Sequence, residues 1–447
     1  MVKKLLLSFS VMAVLSSCFK ELETPIYPEY GKEFESFESY VSFEQAISNA
    51  DFVYKNIDGN HRRKIQDVGL LTRSALSPST RSSENDEPLA YVVNYSGNQG
   101  YAILAATEEL PPVLVLGDEG NFSMSNFVEY VSGGNTGAGN NILSPEQELQ
   151  YEIVNNSLNL INPDMGLESG IILGNYTDTT ILMKCMPLVP VKWNQSAPYN
   201  KYAPMVGGVS CLAGCVPVAC AQTLATLCYR HNFRPTVEIN ENYTVDWYRI
   251  NNLICADTVK YAFYQDTPGS RAVATLIRSI GEEIGAEYGV EETPAYMSEA
   301  VELYEKLGLR NVRAKYNSTP STLDSLFLNI VYKNYPVDCC ASRIAEDGKI
   351  KRHCFNVDGW LRLQYSYSSW EPVSDGGESI FREEKRQRMF DLLHINLGWG
   401  GSCDGYYLPG SFDLSSNEFG EYDEENDGSY TAQRNYDINV VYYMFDL

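Results

Sequence analysis

The stretch that decides the fold begins at position 214, where residues 214–222 read Gly-Cys-Val-Pro-Val-Ala-Cys-Ala-Gln. Proline is tolerated in a helix only in the first turn, where its missing N–H group is not needed. Pro217 therefore places a helix start at or just before Cys215, and the small and apolar residues that follow predict a helix from Cys215 to His231.

A cysteine at a helix start faces unpaired N–H groups and the positive end of the helix dipole, which favour its thiolate over its thiol. Cys215 has this position, whereas Cys220 and Cys228 lie deeper in the predicted helix. Gly214 lets backbone or substrate approach the sulfur closely. The pattern marks Cys215 as a candidate nucleophile, although a buried structural cysteine at a helix start would look the same.

The chain around this helix predicts an α+β fold. Further helices are expected at 273–287 and 299–307, and short strands follow after Pro336, an order typical of the α+β class. The strands are expected at 337–340, 354–357, 361–367, 392–397, 406–408 and 440–445.

An earlier unit is expected to be α+β as well, with helical patterns at 42–57 and 147–161 and strands at 90–95, 100–105 and 113–116. The glycine-rich stretch after it marks the boundary between the two units. The predicted organisation is a signal peptide (1–17), a tether (18–35), a first unit (36–165), a linker (166–190) and a second unit (191–447).

The N-terminus predicts export. Lys3 and Lys4 precede an apolar run of signal-peptide length, which ends in Leu-Ser-Ser-Cys at 15–18 and looks like a bacterial lipobox. Cys18 would then take a lipid and become the first residue of the mature chain. A simple signal peptide with an incidental cysteine is the alternative. No other stretch approaches about 18 apolar residues, so the lipid is the only membrane contact expected.

The net charge of −24 argues against a nucleic-acid partner, because an acidic surface gains nothing from the release of counterions. The charge suits a protein that works outside the cytoplasm. Export would permit disulfides, yet the spacing of the 11 cysteines does not resemble a disulfide framework, and most are expected to pack as small core residues. A zinc site built on the 211–231 cluster is a weaker reading, because the cluster lacks paired Cys-x-x-Cys motifs.

Four segments, in order, resemble the streptopain family of papain-like cysteine peptidases. They are 193–200 (Trp-Asn-Gln-Ser-Ala-Pro-Tyr-Asn), the helix start at 214–222, 353–359 (His-Cys-Phe-Asn-Val-Asp-Gly) and 396–407 (Asn-Leu-Gly-Trp-Gly-Gly-Ser-Cys-Asp-Gly-Tyr-Tyr). The resemblance extends more weakly into 40–130, which is similar to the pro-domain of that family. It implies a papain-like catalytic domain, with a helical and an antiparallel β part, preceded by an inhibitory α+β pro-domain.

The resemblance also implies the catalytic roles. Cys215 would be the nucleophile and His353 its general base, as a thiolate–imidazolium pair. Gln195 would stabilise the oxyanion together with the N–H group of Cys215, and Asn396 would orient the His353 ring. Trp399 is expected to pack beside the pair, and Gly214 and Asp358 to support the site. No metal or organic cofactor is implied.

Two departures from the family pattern bear on the binding of substrate. Arg352 stands where the family often has glycine before the histidine, and Leu397 stands where it usually has tryptophan after the asparagine. The charged stretch 364–388 between these motifs is either a lid or partner surface, or a plain surface insertion.

The predicted function is that of an exported or surface-bound, lipid-anchored cysteine endopeptidase made as a zymogen. It would cleave protein or peptide substrates, be inhibited by its own pro-domain, and lose the lipid anchor on maturation within 166–190. Two alternatives remain: a papain-fold amidase or acyltransferase, and a catalytically silent surface lipoprotein that only binds.

Overall fold

The computed structural model describes residues 41–57, 63–76, 88–107, 110–132, 143–159, 172–255, 267–316, 320–344, 350–375, 378–409 and 439–447. All of them belong to one compact unit, Ser39–Leu447. The predicted signal peptide, the tether and Cys18 lie outside the described residues. Within the described part of the chain, no helix is long and apolar enough to cross a membrane.

Helices occur in both halves of the chain. They are α1 (Phe43–Ile57), α2 (Arg73–Leu76), α3 (Met124–Val131), α4 (Pro145–Asn159), α5 (Cys215–His231), α6 (Trp247–Cys255), α7 (Pro268–Glu283), α8 (Met297–Lys306) and α9 (Pro320–Phe327), which continues into a π-helical turn at Leu328–Tyr332.

Strands flank and follow these helices. They are β1 (Ile65–Thr72), β2 (Pro88–Tyr95), β3 (Tyr101–Ala105), β4 (Val113–Gly117), β5 (Ile172–Cys185), β6 (Met205–Val206), β7 (Val209–Ser210), β8 (Arg310–Tyr316), β9 (Val337–Ile344), β10 (Ile350–Asp375), β11 (Glu378–Asn396), β12 (Gly405–Tyr407) and β13 (Asn439–Asp446).

The described strands other than β6 and β7 form one antiparallel sheet. Its order is β1-β2-β3-β4-β12-β11-β10-β9-β13-β8, with β5 paired to β10 beside this path. The sheet joins the two predicted units, because β4 of the first pairs with β12 of the second through Gly117↔Gly405 and Val115↔Tyr407. The mixture of helices and antiparallel sheet agrees with the predicted α+β class.

Helix α5 is the centre of the second unit. Its bounds are those predicted, Cys215–His231, and every residue from Val216 to Cys228 is buried. A helix that is apolar or small on all sides is suited to such a fully buried position. It packs against α6, α7, β9 and β10, so the first residue of the helix is held in place by core contacts.

The two strands predicted around the His353 and Asn396 motifs are longer than expected. The stretch 364–388, predicted as a lid or partner surface or as a plain surface insertion, continues β10 and β11 as one antiparallel hairpin that pairs from Asn356↔Asn396 to Asp375↔Glu378. Backbone pairing does not depend on apolar side chains, so the charged outer half of the hairpin gave no strand signal. Strand β5 similarly occupies part of the predicted linker 166–190 and pairs with β10. The maturation site within that range remains a prediction.

Candidate active site

The local backbone explains the glycine before Cys215. Gly214 caps α5 with φ +93°, a conformation that favours glycine. A Cβ atom at this position would lie 3.1 Å from both Pro217 Cδ and the carbonyl oxygen of Thr293. The close approach of Thr293 therefore leaves no room for a side chain.

Cys215 is placed as predicted, as the first residue of α5, and it is half-buried. Burial raises the pKa of Cys215, and hydrogen bonds from the backbone N–H groups of Cys354, Val216 and Cys215 itself offset only part of that effect. The expected thiolate-favouring helix start is therefore present, yet desolvation outweighs it. Helix α5 packs against β10, the strand that carries the predicted base.

His353 lies on β10 and is oriented by the loop that follows β11. Its Nε2 atom lies 2.7 Å from the carbonyl oxygen of Leu397. Since a carbonyl only accepts hydrogen bonds, Nε2 carries a proton, and Nδ1 is the basic nitrogen of the neutral ring. Trp399 stacks on the imidazole with ring centroids 4.2 Å apart and an interplanar angle of 28°.

Asn396 does not hold the His353 ring. Its Nδ2 donates to the carbonyl of Val191 at 2.8 Å, and its Oδ1 accepts from Gln222 Nε2 at 3.1 Å and from the Gly398 N–H at 3.1 Å. The Leu397 carbonyl contacts the His353 ring nitrogen that Asn396 was predicted to contact. Because Gly398 N–H and Leu397 C=O belong to the same peptide group, Asn396 acts on His353 through that peptide.

Gln195 lies beside the nucleophile segment. Its carbonyl accepts a 2.8 Å hydrogen bond from the N–H of Ala213, two residues before Cys215. This contact places the segment of the predicted oxyanion donor next to the start of α5.

Asp358, predicted to support the site, pairs with His394. Its Oδ1 lies 2.6 Å from Nδ1 of His394, and its Oδ2 accepts from the N–H of Val189 at 2.8 Å. Asp358 is fully buried, so this pairing anchors the chain at 188–189 to β10. The His353 motif thus ends in a residue that positions the framework of the site.

The structure pairs two cysteines that sequence reasoning had treated as core residues. Cys340 and Cys354 form a disulfide between directly opposite positions of β9 and β10, with Cα atoms 4.1 Å apart. Seven other cysteines in the described residues are free thiols, Cys215 among them. Cysteine positions alone could not reveal the pair, because it depends on the register of two strands.

Arg352 and His231, two residues noted in or beside the motifs, each contact a neighbour in the second unit. The guanidinium of Arg352 lies 5.6 Å from the ring centroid of Tyr296. His231 ends α5, and its Nε2 lies 3.0 Å from the carbonyl oxygen of Asn334. Among the residues whose placement is described, no group of three or more His, Cys, Asp or Glu side chains is arranged to hold a metal ion.

Comparison with known families covers this region. Residues 193–407 match the model of the peptidase C10 family. This segment is a peptidase C10 domain. This domain is accordingly a cysteine-type peptidase domain of the streptopain family, as the motifs had predicted. Residues 38–132 match the model of the Spi protease inhibitor, which gives the chain the organisation of a protease zymogen.

Solved structures show a limited similarity. A cysteine-to-alanine mutant of a prointerpain A fragment from Prevotella intermedia is 18% identical, with 84% of this chain and 98% of that chain covered and a TM-score of 0.45. The active wild-type interpain A cysteine protease of the same organism is 22% identical, with coverages of 58% and 95% and a TM-score of 0.38. None of the curated proteins matches the chain significantly.

Two further polar residues of the C10 domain were not assigned from the sequence. Asp404 is buried and accepts the N–H of Leu397 at 2.9 Å, and Gln222 contacts Asn396. Both stand inside the quoted motifs, but motif position alone does not show which backbone or side-chain group a residue touches.

Proposed function

We propose that this chain is an exported cysteine endopeptidase, made as an inactive precursor, with Cys215 as nucleophile and His353 as general base. The observation that carries the proposal is the packing of α5, which begins at Cys215, against β10, which carries a histidine whose Nε2 is held by the Leu397 carbonyl.

In the proposed reaction, His353 Nδ1 takes the thiol proton while the sulfur of Cys215 attacks the peptide carbonyl. The side chain of Gln195 and the N–H of Cys215 stabilise the resulting oxyanion, by about 3 kcal/mol for each donor. The C–N bond then breaks, and the leaving amine takes the proton from His353. Water hydrolyses the thioester with His353 as base, which releases the acid and restores the thiol.

The precursor would be kept inactive by the inhibitor-like segment. Its strand β4 pairs with β12, which begins six residues after Trp399, and the N–H of Asp118 donates to the carbonyl of Asp404 at 2.9 Å. The inhibitor-like segment therefore contacts the end of the loop that positions His353. We propose that release of this segment lets the loop relax and exposes the half-buried Cys215 thiol further to solvent, which would lower the pKa of Cys215 towards that of a reactive thiol.

The decisive test compares the wild type with Cys215→Ala and with Cys220→Ala, a buried cysteine of the same helix, as the matched control. We expect the wild type and the control to process themselves, to digest casein and to bind an epoxide thiol inhibitor, while Cys215→Ala does none of these. Inhibitor labelling of Cys215 without digestion of any protein would favour an amidase or acyltransferase. If the preparation contains only folded protein and the inhibitor does not label Cys215, a catalytically silent binding protein is favoured. Full casein digestion by Cys215→Ala would overturn the proposal.

We further propose that Cys18 is lipidated and that cleavage within 166–190 detaches the catalytic domain from the envelope. The support is the order of the segments, because the lipid site and the enzyme stand on opposite sides of the proposed cleavage range. Anchored and released fractions of a culture would be blotted for wild type, Cys18→Ala and Cys215→Ala. The detachment would be contradicted if all mature enzyme stayed in the membrane fraction and that fraction contained no pro-segment.

A further inference from the structure

Gln222 lies on α5 seven residues after Cys215, close to two helical turns, so both side chains emerge from the same side of the helix. It is completely buried. Its Oε1 accepts the N–H of Trp193 at 3.2 Å, and its Nε2 donates to Asn356 Oδ1 at 2.9 Å and to Asn396 Oδ1 at 3.1 Å. A side-chain amide has two N–H donors, and both are used here.

Each partner of Gln222 belongs to a different segment of the active site. Trp193 lies two residues before Gln195, and Asn356 lies three residues after His353. Asn396 precedes the peptide whose carbonyl accepts from His353. One buried amide therefore ties the helix of the nucleophile to the segments of the oxyanion donor, the base and the loop that orients the base.

The orientation of these amides is determined by their surroundings. Asn356 must turn its Nδ2 towards the carbonyl of Ala219 at 3.1 Å, because that oxygen only accepts, and this leaves Oδ1 facing Gln222. Asn396 must likewise turn Nδ2 towards the carbonyl of Val191 and Oδ1 towards the Gly398 N–H. Gln222 thus meets two acceptors with its Nε2 and one donor with its Oε1.

We propose that Gln222 is a positioning residue for the peptidase reaction. It fixes the Leu397–Gly398 peptide, and through it the His353 ring, at a set distance from Cys215. The inference rests on the function proposed above. Neither a carboxylate nor an apolar side chain can replace the amide. A carboxylate donates no hydrogen bond, and an apolar side chain leaves Asn356 Oδ1 and the Trp193 N–H without their hydrogen bonds to Gln222 and removes one of the two donors to Asn396 Oδ1.

The test uses Gln222→Glu, which keeps the shape of the side chain but removes its donors. Thr223→Val is the matched control, because it removes the buried hydrogen bonds of the neighbouring residue to Asp338 (2.6 Å) and from Asn356 Nδ2 (3.0 Å) without touching Trp193 or Asn396. Asn356 Nδ2 keeps the carbonyl of Ala219 and Asp338 as acceptors, so its Oδ1 still faces Gln222. Each full-length protein would be matured with a serine protease that is then inhibited. The measurements are kcat and KM on a peptide substrate, urea unfolding, and the pH dependence of Cys215 alkylation.

We expect Gln222→Glu to lower kcat on the order of 100-fold, as a displaced catalytic group does, with KM changed less than about threefold. The alkylation profile of Cys215 should shift, whereas Thr223→Val should lose stability but keep both kcat and the profile. The defect of Gln222→Glu should lessen towards about pH 5, because protonation of a buried carboxyl restores one donor.

If Gln222→Glu does not fold, Gln222→Met gives the same comparison without the pH rescue. If the wild type is active and Gln222→Glu or Gln222→Met has the same kcat as Thr223→Val, the positioning role of Gln222 is overturned while the proposed function stands. A wild type without peptidase activity would overturn the proposed function and this inference together.

Discussion

Nε2 of His394 lies 3.2 Å from Oδ2 of Asp118, across the junction between the peptidase C10 domain and the segment that matches the inhibitor model. Asp358 holds the other ring nitrogen at 2.6 Å. The histidine is thus paired on one side within its own domain and on the other with the inhibitor-like segment, whose release on maturation we propose above. This junction is the source of the first two predictions.

The His394 pairing predicts a pH-dependent stability. Burial lowers the pKa of His394, but the carboxylates of Asp358 and Asp118 outweigh burial and raise it to about 10. In the unfolded chain histidine has a pKa of about 6.5. The stabilisation from the His394 pairing is therefore complete below that pH and is lost as the pH rises through about 10. We expect the free energy of unfolding of the full chain to fall over this interval.

The free energy of unfolding of His394→Gln should lack the part of this pH dependence that comes from His394. At pH 6 the variant should be less stable than the wild type by about 3–5 kcal/mol, because Asp358 is left as an uncompensated buried charge. Urea unfolding at pH 6, 8 and 10 measures both proteins. Parallel curves for wild type and variant would contradict the assigned pairing.

A second ion pair crosses the same junction, between Lys192 Nζ and Glu119 Oε1 at 2.7 Å. We expect Glu119→Lys to place two like charges together and to speed the release and processing of the inhibitor-like segment about two- to fivefold, as the loss of about 0.5–1 kcal/mol would. The double variant Glu119→Lys/Lys192→Glu should return to the wild-type rate. Processing would be followed by gel over time, and a double variant as fast as the single one would refute the contact.

The stack of Trp399 on His353 predicts an effect on turnover. Removal of an aromatic pair of this kind costs about 0.5–1.5 kcal/mol, so Trp399→Ala should lower kcat by about 2–12-fold in the matured enzyme. Trp399→Phe keeps part of the ring surface and should lose less. Steady-state kinetics would be read beside the melting temperature. An unchanged kcat in Trp399→Ala would show that the stack does not position the base.

The disulfide between Cys340 and Cys354 closes a loop of sequence separation 14 beside His353. The double variant Cys340→Ala/Cys354→Ala should lose about 3 kcal/mol of unfolding free energy, the value expected for a loop of this length. Cys339→Ala, at the neighbouring free and buried thiol, is the control for altered packing. A linked peptide pair in a non-reducing digest of the wild type tests the bond directly, and its absence would contradict the pairing.

Local signals predicted what lies close together along the chain. The bounds of α5 followed from Gly214 and Pro217 because capping and proline sterics act within a few residues. The strands at 90–116 followed in the same way from apolar runs separated by turn residues. The hairpin of β10 and β11 was underestimated, because its outer half is held by backbone pairing that leaves no trace in residue type.

The sequence by itself determined the α+β class, the place of Cys215 at a helix start, and the order of the Gln, Cys, His and Asn motifs. Only the tertiary structure decided that Leu397 rather than Asn396 meets His353, that Gln222 joins four segments, and that Asp118 reaches His394. These contacts join positions up to 276 residues apart, and each depends on strand register and on which backbone group remains unpaired. Such geometry arises only when the elements pack, because burial makes every polar group find a partner.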